Sequence, residues 1–279
     1  MKQMKKLIFG ITIAITFIAC NKIEGPYLVQ SQQEAVDVVF PELDPSTVYR
    51  KILFDEYTGH TCIGCPEGHV ILEQLQAQYG DTLVAVGIHA NWFAEPESGV
   101  FSYDFRTPTG EQLYLDYHIA NNPQAIVNRG TDPLDKPAWI SAVQSADRTK
   151  YAAIQIINQY DATAKKLKIN TKTTMLEDFG QATQLSLLLV EDNIIKPQKF
   201  SDHVDTFYVH NHVLRAGING NYGEFLTPDG ILEKDSSYLY GYSLDFNGTD
   251  WNPDNCSVIA ILLDQQDKKV LQVEKMAVK

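Results

Sequence analysis

Cys62 and Cys65 are the residues of this chain whose type and spacing best suit chemistry. A Cys-x-x-Cys pair either exchanges thiols with disulfides or gives two thiolate ligands to a metal ion. Pro66 follows at a position that opens a helix, and the free N–H groups and dipole of a helix N-terminus stabilise a thiolate. The pattern predicts an exposed Cys62 that attacks a substrate disulfide and a more buried Cys65 that resolves the mixed disulfide.

The elements that must position this pair can be read on both sides of it. A strand-like run at residues 52–57 precedes the pair and stops at Thr58-Gly59. Apolar residues at helical spacing follow at residues 70–79, and residues 83–88 form an almost wholly apolar run that is typical of a strand buried on both faces. A strand, helix and strand in this order predict a right-handed βαβ unit with parallel strands.

This segment resembles the thioredoxin-like superfamily over about residues 50–150. The resemblance implies that Glu56 is a carboxylate buried beneath Cys65, with a raised pKa, that relays the cysteine's proton. The alternative is a solvent-facing side chain, since Asp55 or Glu56 is expected to point outward from the strand. The resemblance also implies that Pro123 is a cis-proline facing the cysteines, the alternative being an ordinary trans turn proline.

The segment also departs from the thioredoxin pattern. Thr61 stands where thioredoxins usually have tryptophan, and Ile63-Gly64 separates the cysteines in place of Gly-Pro. The redox potential and the direction of electron flow therefore stay open. Zinc is the chemical rival, because His60 and His69 are near enough in sequence to join the two cysteines. Structural zinc usually draws on a second ligand pair, and the sequence offers no partner motif, so we predict no metal and no cofactor.

The N-terminus predicts export and a lipid anchor. Three lysines within the first six residues precede an apolar run at residues 7–18, which is too short to cross a bilayer and is typical of a secretory signal. Cys20 follows a small residue, as in the lipobox of bacterial lipoproteins. Residues 1–19 are therefore predicted to be removed and Cys20 to be lipidated. Ordinary signal cleavage and an uncleaved anchor are the alternatives.

Composition narrows the partners. The formal net charge is −12 and no basic cluster occurs along the chain, which argues against nucleic-acid binding and against docking on anionic lipid. The predicted partners are the membrane, reached through the lipid on Cys20, and the thiols or disulfides of exported proteins. The predicted location is the cell envelope.

The second half of the chain changes character. Short strand-like runs separated by turn residues predict an immunoglobulin-like sandwich. The predicted fold is thus an α/β thioredoxin-like domain at residues 50–155 followed by an all-β sandwich domain at residues 156–279, after a tether at residues 20–49. Cys256 is predicted to be a lone, inert thiol. His210, His212 and Arg215 are polar within a strand and predict an interdomain contact or partner site, with hydrogen-bonded surface histidines or a metal as alternatives.

Three motifs resemble one family across nearly all of the mature chain. They read EYTGHTCIGCP at residues 56–66, VEDNI at residues 190–194 and YVHNHVLR at residues 208–215. They resemble the outer-membrane lipoproteins named after a twenty-eight-kilodalton antigen of Gram-negative bacteria. The resemblance implies a lipid-anchored outer-membrane protein with the two domains described above. Two functions remain: a thiol–disulfide oxidoreductase, or a non-catalytic surface binding module with a structural Cys62–Cys65 disulfide.

Overall fold

The computed structural model describes residues 32–279, so the predicted signal sequence and Cys20 lie outside the described residues. Within this range the α-helices are α1 (Cys65–Tyr79), α2 (Pro108–Asp116) and α3 (Lys136–Gln144). The strands are β1 (Gln32–Glu34), β2 (Ile52–Thr58), β3 (Leu83–His89), β4 (Gln124–Val127), β5 (Ala152–Asp161), β6 (Lys166–Met175), β7 (Thr183–Glu191), β8 (Ile194–Ile195), β9 (Gln198–Lys199), β10 (Val204–Asp205), β11 (Val209–His210), β12 (Val213–Gly217), β13 (Glu224–Phe225), β14 (Ser237–Asp245), β15 (Cys256–Asp264) and β16 (Val270–Ala277). None of the helices in this range is long and apolar enough to span a bilayer.

One large sheet combines strands from the N-terminal and C-terminal halves of the described chain. Its order is β16-β15-β7-β12-β3-β2-β4, and β13 adds to it by pairing with β7. β3 is parallel to both of its neighbours, β2 and β12, whereas the other pairs are antiparallel. The parallel β2-α1-β3 unit therefore forms as its sequence pattern predicts. β12 pairs with the edge of β3 that faces away from β2.

A second sheet packs on one face of the large one. It has the order β1-β14-β6-β5, and all of its pairs are antiparallel. Ile154 and Leu167 from this sheet share one apolar cluster with Leu187 and Val258 from the large sheet. Farther along the same face, α1 and α3 cover β2, β3 and β4 through a cluster that includes Trp139. On the opposite face, Leu113 of α2 packs in a third cluster with Leu188 of β7. Burial of apolar area on both faces stabilises the large sheet.

The prediction of a thioredoxin-like α/β domain followed by an immunoglobulin-like sandwich is wrong. Most of the regular secondary structure in the described chain is β-strand, and β2, β3 and β4 belong to the same continuous sheet as β7, β12, β15 and β16. Val213 of β12 pairs with Gly87 of β3, so backbone groups of the N-terminal half bond to the C-terminal half. Alternation along a strand indicates which side chains are buried but not which strand lies alongside.

Candidate functional site

The cysteine pair lies where β2 turns into α1. Cys62 and Cys65 form a disulfide with their Cα atoms 5.5 Å apart. Cys65 is the first residue of α1, Gly64 caps it, and Pro66 occupies its first turn, where no hydrogen-bond donor is needed. The turn before the helix is held by two backbone hydrogen bonds, from Cys62 to Gly59 and from Cys65 to Cys62. Thus the sequence places both sulfurs at the N-terminus of a helix, where the dipole favours a thiolate.

Both cysteines are buried, with 2% of Cys62 and none of Cys65 exposed, so the expectation of an exposed Cys62 is wrong. Strand β9 is hydrogen-bonded to the cysteine turn. Its Gln198 side chain donates to the carbonyl oxygen of Cys62 at 3.1 Å, and the backbone N–H of Lys199 donates to that of His60 at 2.8 Å. A segment more than 130 residues away in sequence is therefore fastened to the cysteine turn.

Glu56 lies beneath the first turn of α1. It is 2% exposed, and its Oε1 lies 2.9 Å from the point where a Cβ on Gly68 would stand. Gly68 follows Cys65 by three residues and so shares its face of the helix. The missing side chain at Gly68 makes room for the carboxyl group, whose Oε1 has no hydrogen-bond partner. Burial raises the pKa of Glu56 to about 8, so the group is protonated at neutral pH.

The neighbouring Asp55 is also buried, contrary to the expectation that one of the two acidic residues points outward. Successive side chains of a strand face opposite sides of the sheet, and Asp55 meets Arg129 there. Arg129 Nε donates to Asp55 Oδ2 at 2.8 Å, and both side chains are fully buried. Only the fold reveals this pair, because the two residues are 74 positions apart.

Pro123 lies against the cysteine turn. The Asn122–Pro123 peptide bond is cis. Gly64 lies between the two cysteines in the sequence, and Pro123 Cδ is 3.6 Å from the point where a Cβ on Gly64 would stand. The side chain of Asn122 donates to the carbonyl oxygen of Thr58 at 2.9 Å and so joins this loop to the end of β2.

A cavity of about 280 Å³ opens on the other side of Glu56. It lies between α1, the ends of β2 and β3, and the segment at residues 208–212. Its polar lining includes Glu56, His69, His89, Tyr208, His210 and His212. The segment approaches closely because Gly87 has no side chain: a Cβ there would stand 3.3 Å from the carbonyl oxygen of Asn211.

His69 is the link between Glu56 and the far wall of this cavity. Its Nε2 lies 3.0 Å from Thr58 Oγ1 and 3.7 Å from Glu56 Oε1. Its Nδ1 lies 2.6 Å from the hydroxyl of Tyr208, which is half-buried. The imidazole thus stands between a buried carboxyl group and a phenol that reaches the surface.

Three of the histidines that line the cavity, His69, His89 and His210, are held neutral by burial. Burial lowers the pKa of His69 to about 4, with His212 adding to the effect, and burial lowers that of His210 to about 3. Burial likewise lowers the pKa of His89 well below its ordinary value, and both ring nitrogens of His89 lack a hydrogen-bond partner. Buried polar groups without partners are rare, and clusters of shifted pKa values mark candidate functional sites.

The three residues singled out in the third motif all contact other parts of the chain. His210 Nε2 lies 3.2 Å from the carbonyl oxygen of Lys196, and His212 Nε2 lies 3.0 Å from the side-chain oxygen of Gln76 on α1. Arg215 has three partners in reach: Glu191, Asp250 and the hydroxyl of Tyr103. A role for these residues in binding a partner stays a prediction.

Sequence reasoning missed part of this site. His69 entered only as a zinc ligand, and His89 and Tyr208 were given no role, although Tyr208 and His210 alternate as residues on one face of a strand do. Across the part of the chain that the structure describes, no group of three histidine, cysteine, aspartate or glutamate residues is arranged to hold a metal ion.

Comparison with known proteins places these features in context. The family model described as outer membrane protein Omp28 matches residues 110–279. The fold resembles HBP35 of Porphyromonas gingivalis with a TM-score of 0.61 and 15% identity, over 83% of this chain and 76% of that one, a likeness that shows the fold alone. A domain of the outer membrane lipoprotein Omp28 from the same organism is 24% identical, with a TM-score of 0.32, over 46% of this chain and 88% of that one. No curated protein matches the chain.

Proposed function

The chain belongs to the Omp28 family of outer-membrane proteins, and from this premise we propose that it is a lipid-anchored envelope protein whose Cys62–Cys65 pair exchanges disulfides with exported proteins. The cysteine pair itself precedes the 110–279 segment that the family model matches. The redox proposal therefore depends on the local geometry and not on family membership.

The observation that carries the proposal is the placement of Glu56 under a disulfide at a helix N-terminus. A buried carboxyl group that is protonated at neutral pH can donate its proton, and the Oε1 of Glu56 makes no hydrogen bond that would hold it in place. When a disulfide is opened, the leaving sulfur departs as a thiolate and needs a proton. Glu56 is positioned to supply that proton to Cys65, the sulfur on the same helix face as Gly68.

The reaction starts from the disulfide that the structure contains. A substrate thiolate attacks Cys62 Sγ, the Cys62–Cys65 bond breaks, and Cys65 leaves as a thiolate that takes a proton from Glu56. A second substrate thiolate then attacks the substrate sulfur of the mixed disulfide and releases Cys62. The substrate dithiol is oxidised to a disulfide and the Cys62–Cys65 disulfide is reduced to two thiols. The reverse sequence reduces a substrate disulfide.

A second candidate function is a non-catalytic surface module in which this disulfide is structural. The burial of Cys62 favours it, because β9 is hydrogen-bonded to the cysteine turn and limits attack on the sulfur. The two functions differ in the reduction potential of the pair. A structural disulfide lies below about −300 mV, whereas an exchanging one is more easily reduced.

The potential can be measured by equilibrating a Cys256→Ala variant with dithiothreitol mixtures and alkylating the free thiols for mass spectrometry. Removing Cys256, the free cysteine of the described chain, leaves the pair as the thiols counted there. We expect a potential above about −300 mV. A lower value contradicts the redox proposal and supports the structural role.

Trapping tests the roles of the two sulfurs. Cys65→Ser leaves Cys62 to attack a disulfide with no partner to resolve the product, so incubation with scrambled, disulfide-bonded ribonuclease should give a stable mixed disulfide. The matched control is Cys62→Ser, which should give far less of it. Equal adduct from both variants, or none from either, argues against the assigned roles.

Anchoring is the part of the proposal that lies outside the described residues. Cys20→Ser should leave the protein unlipidated and block maturation by the lipoprotein route. Mass spectrometry of the mature N-terminus checks this, and an unmodified N-terminus other than Cys20 would contradict it.

A further inference from the structure

We infer that His69 and Tyr208 form a proton relay that connects Glu56 with solvent, an inference that rests on the proposed redox function of the cysteine pair. It assigns a role to Tyr208 of the third sequence motif and to the cavity beside α1.

The geometry of the relay is continuous apart from one step. Tyr208 OH and His69 Nδ1 lie 2.6 Å apart, which is within hydrogen-bonding distance. On the other side of the ring, Nε2 lies 3.7 Å from Glu56 Oε1. A rotation of the carboxyl group or one bridging water closes a gap of this size. The cavity that both groups line gives room for either.

The outer end of the relay reaches the surface. Tyr208 is half-buried, and its neighbours Phe207 and Val209 are exposed. Glu56, at the inner end, is 2% exposed. A proton that leaves Glu56 for Cys65 must be replaced from solvent, and His69 with Tyr208 offers a path through side chains that line the cavity.

The titratable groups around Glu56 allow a neutral imidazole and a neutral phenol to carry the proton. The titratable groups that face it from the packed elements are His69 and Glu73 on α1, His89 on β3, and Tyr208, His210, His212 and Asp192 on the far wall. Burial keeps His69 neutral and raises the pKa of Tyr208, so the ring can accept a proton at one nitrogen and donate at the other while the phenol stays protonated.

The proton balance closes over one catalytic cycle. After Glu56 protonates the Cys65 thiolate, His69 donates its Nε2 proton to the carboxylate and takes the Tyr208 hydroxyl proton at Nδ1. Solvent then reprotonates Tyr208. One proton has moved from solvent to Cys65, and His69 has changed tautomer. When the pair is reoxidised, the Cys65 proton returns along the same path and restores the first tautomer.

The test is the steady-state rate at which the full chain catalyses the reduction of scrambled, disulfide-bonded ribonuclease by dithiothreitol, in which Glu56 must regain its proton between turnovers. We expect Glu56→Gln to slow reduction by about 10-fold or more, within the range of general acid catalysis. His69→Ala and Tyr208→Phe should each slow it by about 3- to 10-fold, since the acid remains but its resupply is cut. The matched controls are Gln76→Ala, which lines the same cavity from the same helix, and Tyr49→Phe, which removes an exposed phenol before β2. Both should keep the rate of the unaltered chain.

Rescue separates a proton carrier from a structural residue. Added imidazole should restore the rate of His69→Ala in a saturable manner, because the ligand can occupy the vacated space and carry the proton, and it should not accelerate Tyr208→Phe. Rates unchanged in both His69→Ala and Tyr208→Phe, or slowing of His69→Ala without rescue, overturn the relay while leaving the redox function intact. A pair that dithiothreitol fails to reduce in the unaltered chain overturns the redox function itself.

Discussion

The cavity beside α1 and the core between the two sheets are both buried, but their chemistry differs. In the core, β15 is buried along its whole length and its central residues are aliphatic, from Val258 to Leu263. Around the cavity, Glu56 and His89 are buried equally well yet keep polar atoms without partners. The core gains free energy from apolar burial, whereas the cavity loses free energy to desolvated polar groups.

The surroundings of the two buried cysteines, Cys256 and Cys62, differ in the same way. Cys256 starts β15, and burial raises the pKa of its thiol well above the ordinary value. It has no second cysteine beside it, and the acid on the paired strand, Glu191, lies 3.3 Å from Arg215 Nε. Cys62 is equally buried but lies at a helix N-terminus with Cys65 and Glu56. Burial alone therefore does not mark a site; polar groups left unpaired around a cavity do.

Acid should reveal the cost of the cavity most strongly. On folding, the pKa of His69 falls from 6.5 to about 4 and that of His210 falls to about 3. The unfolded state therefore binds more protons below pH 6.5, and the free energy of unfolding decreases as the pH is lowered. Each group contributes on the order of 3 kcal/mol by about pH 4. Urea unfolding between about pH 7 and pH 4.5 measures the loss.

His69→Gln provides the comparison, since it should lose the share of that pH dependence that His69 contributes. Glu56 acts in the opposite direction over the same range, because its pKa is raised on folding. In a Glu56→Gln background, where that opposing titration is removed, a free energy of unfolding that stays constant down to about pH 4.5 would show that the histidines are not neutral in the fold.

Truncation in the core should have the next largest effect. Leu187 is fully buried on β7 in the cluster that joins the two sheets. Leu187→Ala should lower the free energy of unfolding by about 2–5 kcal/mol through lost burial and a cavity. Leu239→Ala on β14, where the side chain is 47% exposed, should cost less than about 0.5 kcal/mol. Similar losses in both variants would contradict the assignment of the core.

Glu56→Gln should become progressively more stable than the unaltered chain as pH rises, whereas most buried substitutions lower the free energy of unfolding. Folding raises the pKa of Glu56 from 4.5 to about 8, so the stability that its protonated form provides is lost as pH rises between these values. Relative to the unaltered chain, Glu56→Gln should gain about 1.4 kcal/mol per pH unit in this range. Denaturant unfolding at several pH values checks the slope, and a constant difference would place Glu56 in water.

Cys256→Ala should have the smallest effect. The thiol is buried among core residues, so its removal should cost about 1 kcal/mol and leave the reduction rate of the cysteine pair unchanged. In the reduced protein, alkylating reagents should label Cys256 only on unfolding. If folded Cys256 is labelled as fast as Cys62, the proposed difference in thiol reactivity between the core and the cysteine turn is contradicted.

Local structure followed closely from local sequence. The apolar runs at residues 52–57 and 83–88 form β2 and β3, and the helical spacing between them forms α1. The cysteine pair, the helix-opening Pro66 and the later strand-like runs are likewise properties of neighbouring residues, because side-chain periodicity and turn chemistry act over a few positions.

Only the tertiary structure decided which strands meet and what lies between them. β12 pairs with β3 across more than 120 residues of chain, and this pairing brings Tyr208 and His210 to the cavity that His69 and Glu56 line. The same long-range packing fastens β9 to the cysteine turn and buries Cys62. Sequence periodicity sets which side of a strand is apolar, whereas its partner is set by packing between segments far apart in the chain, which no local pattern encodes.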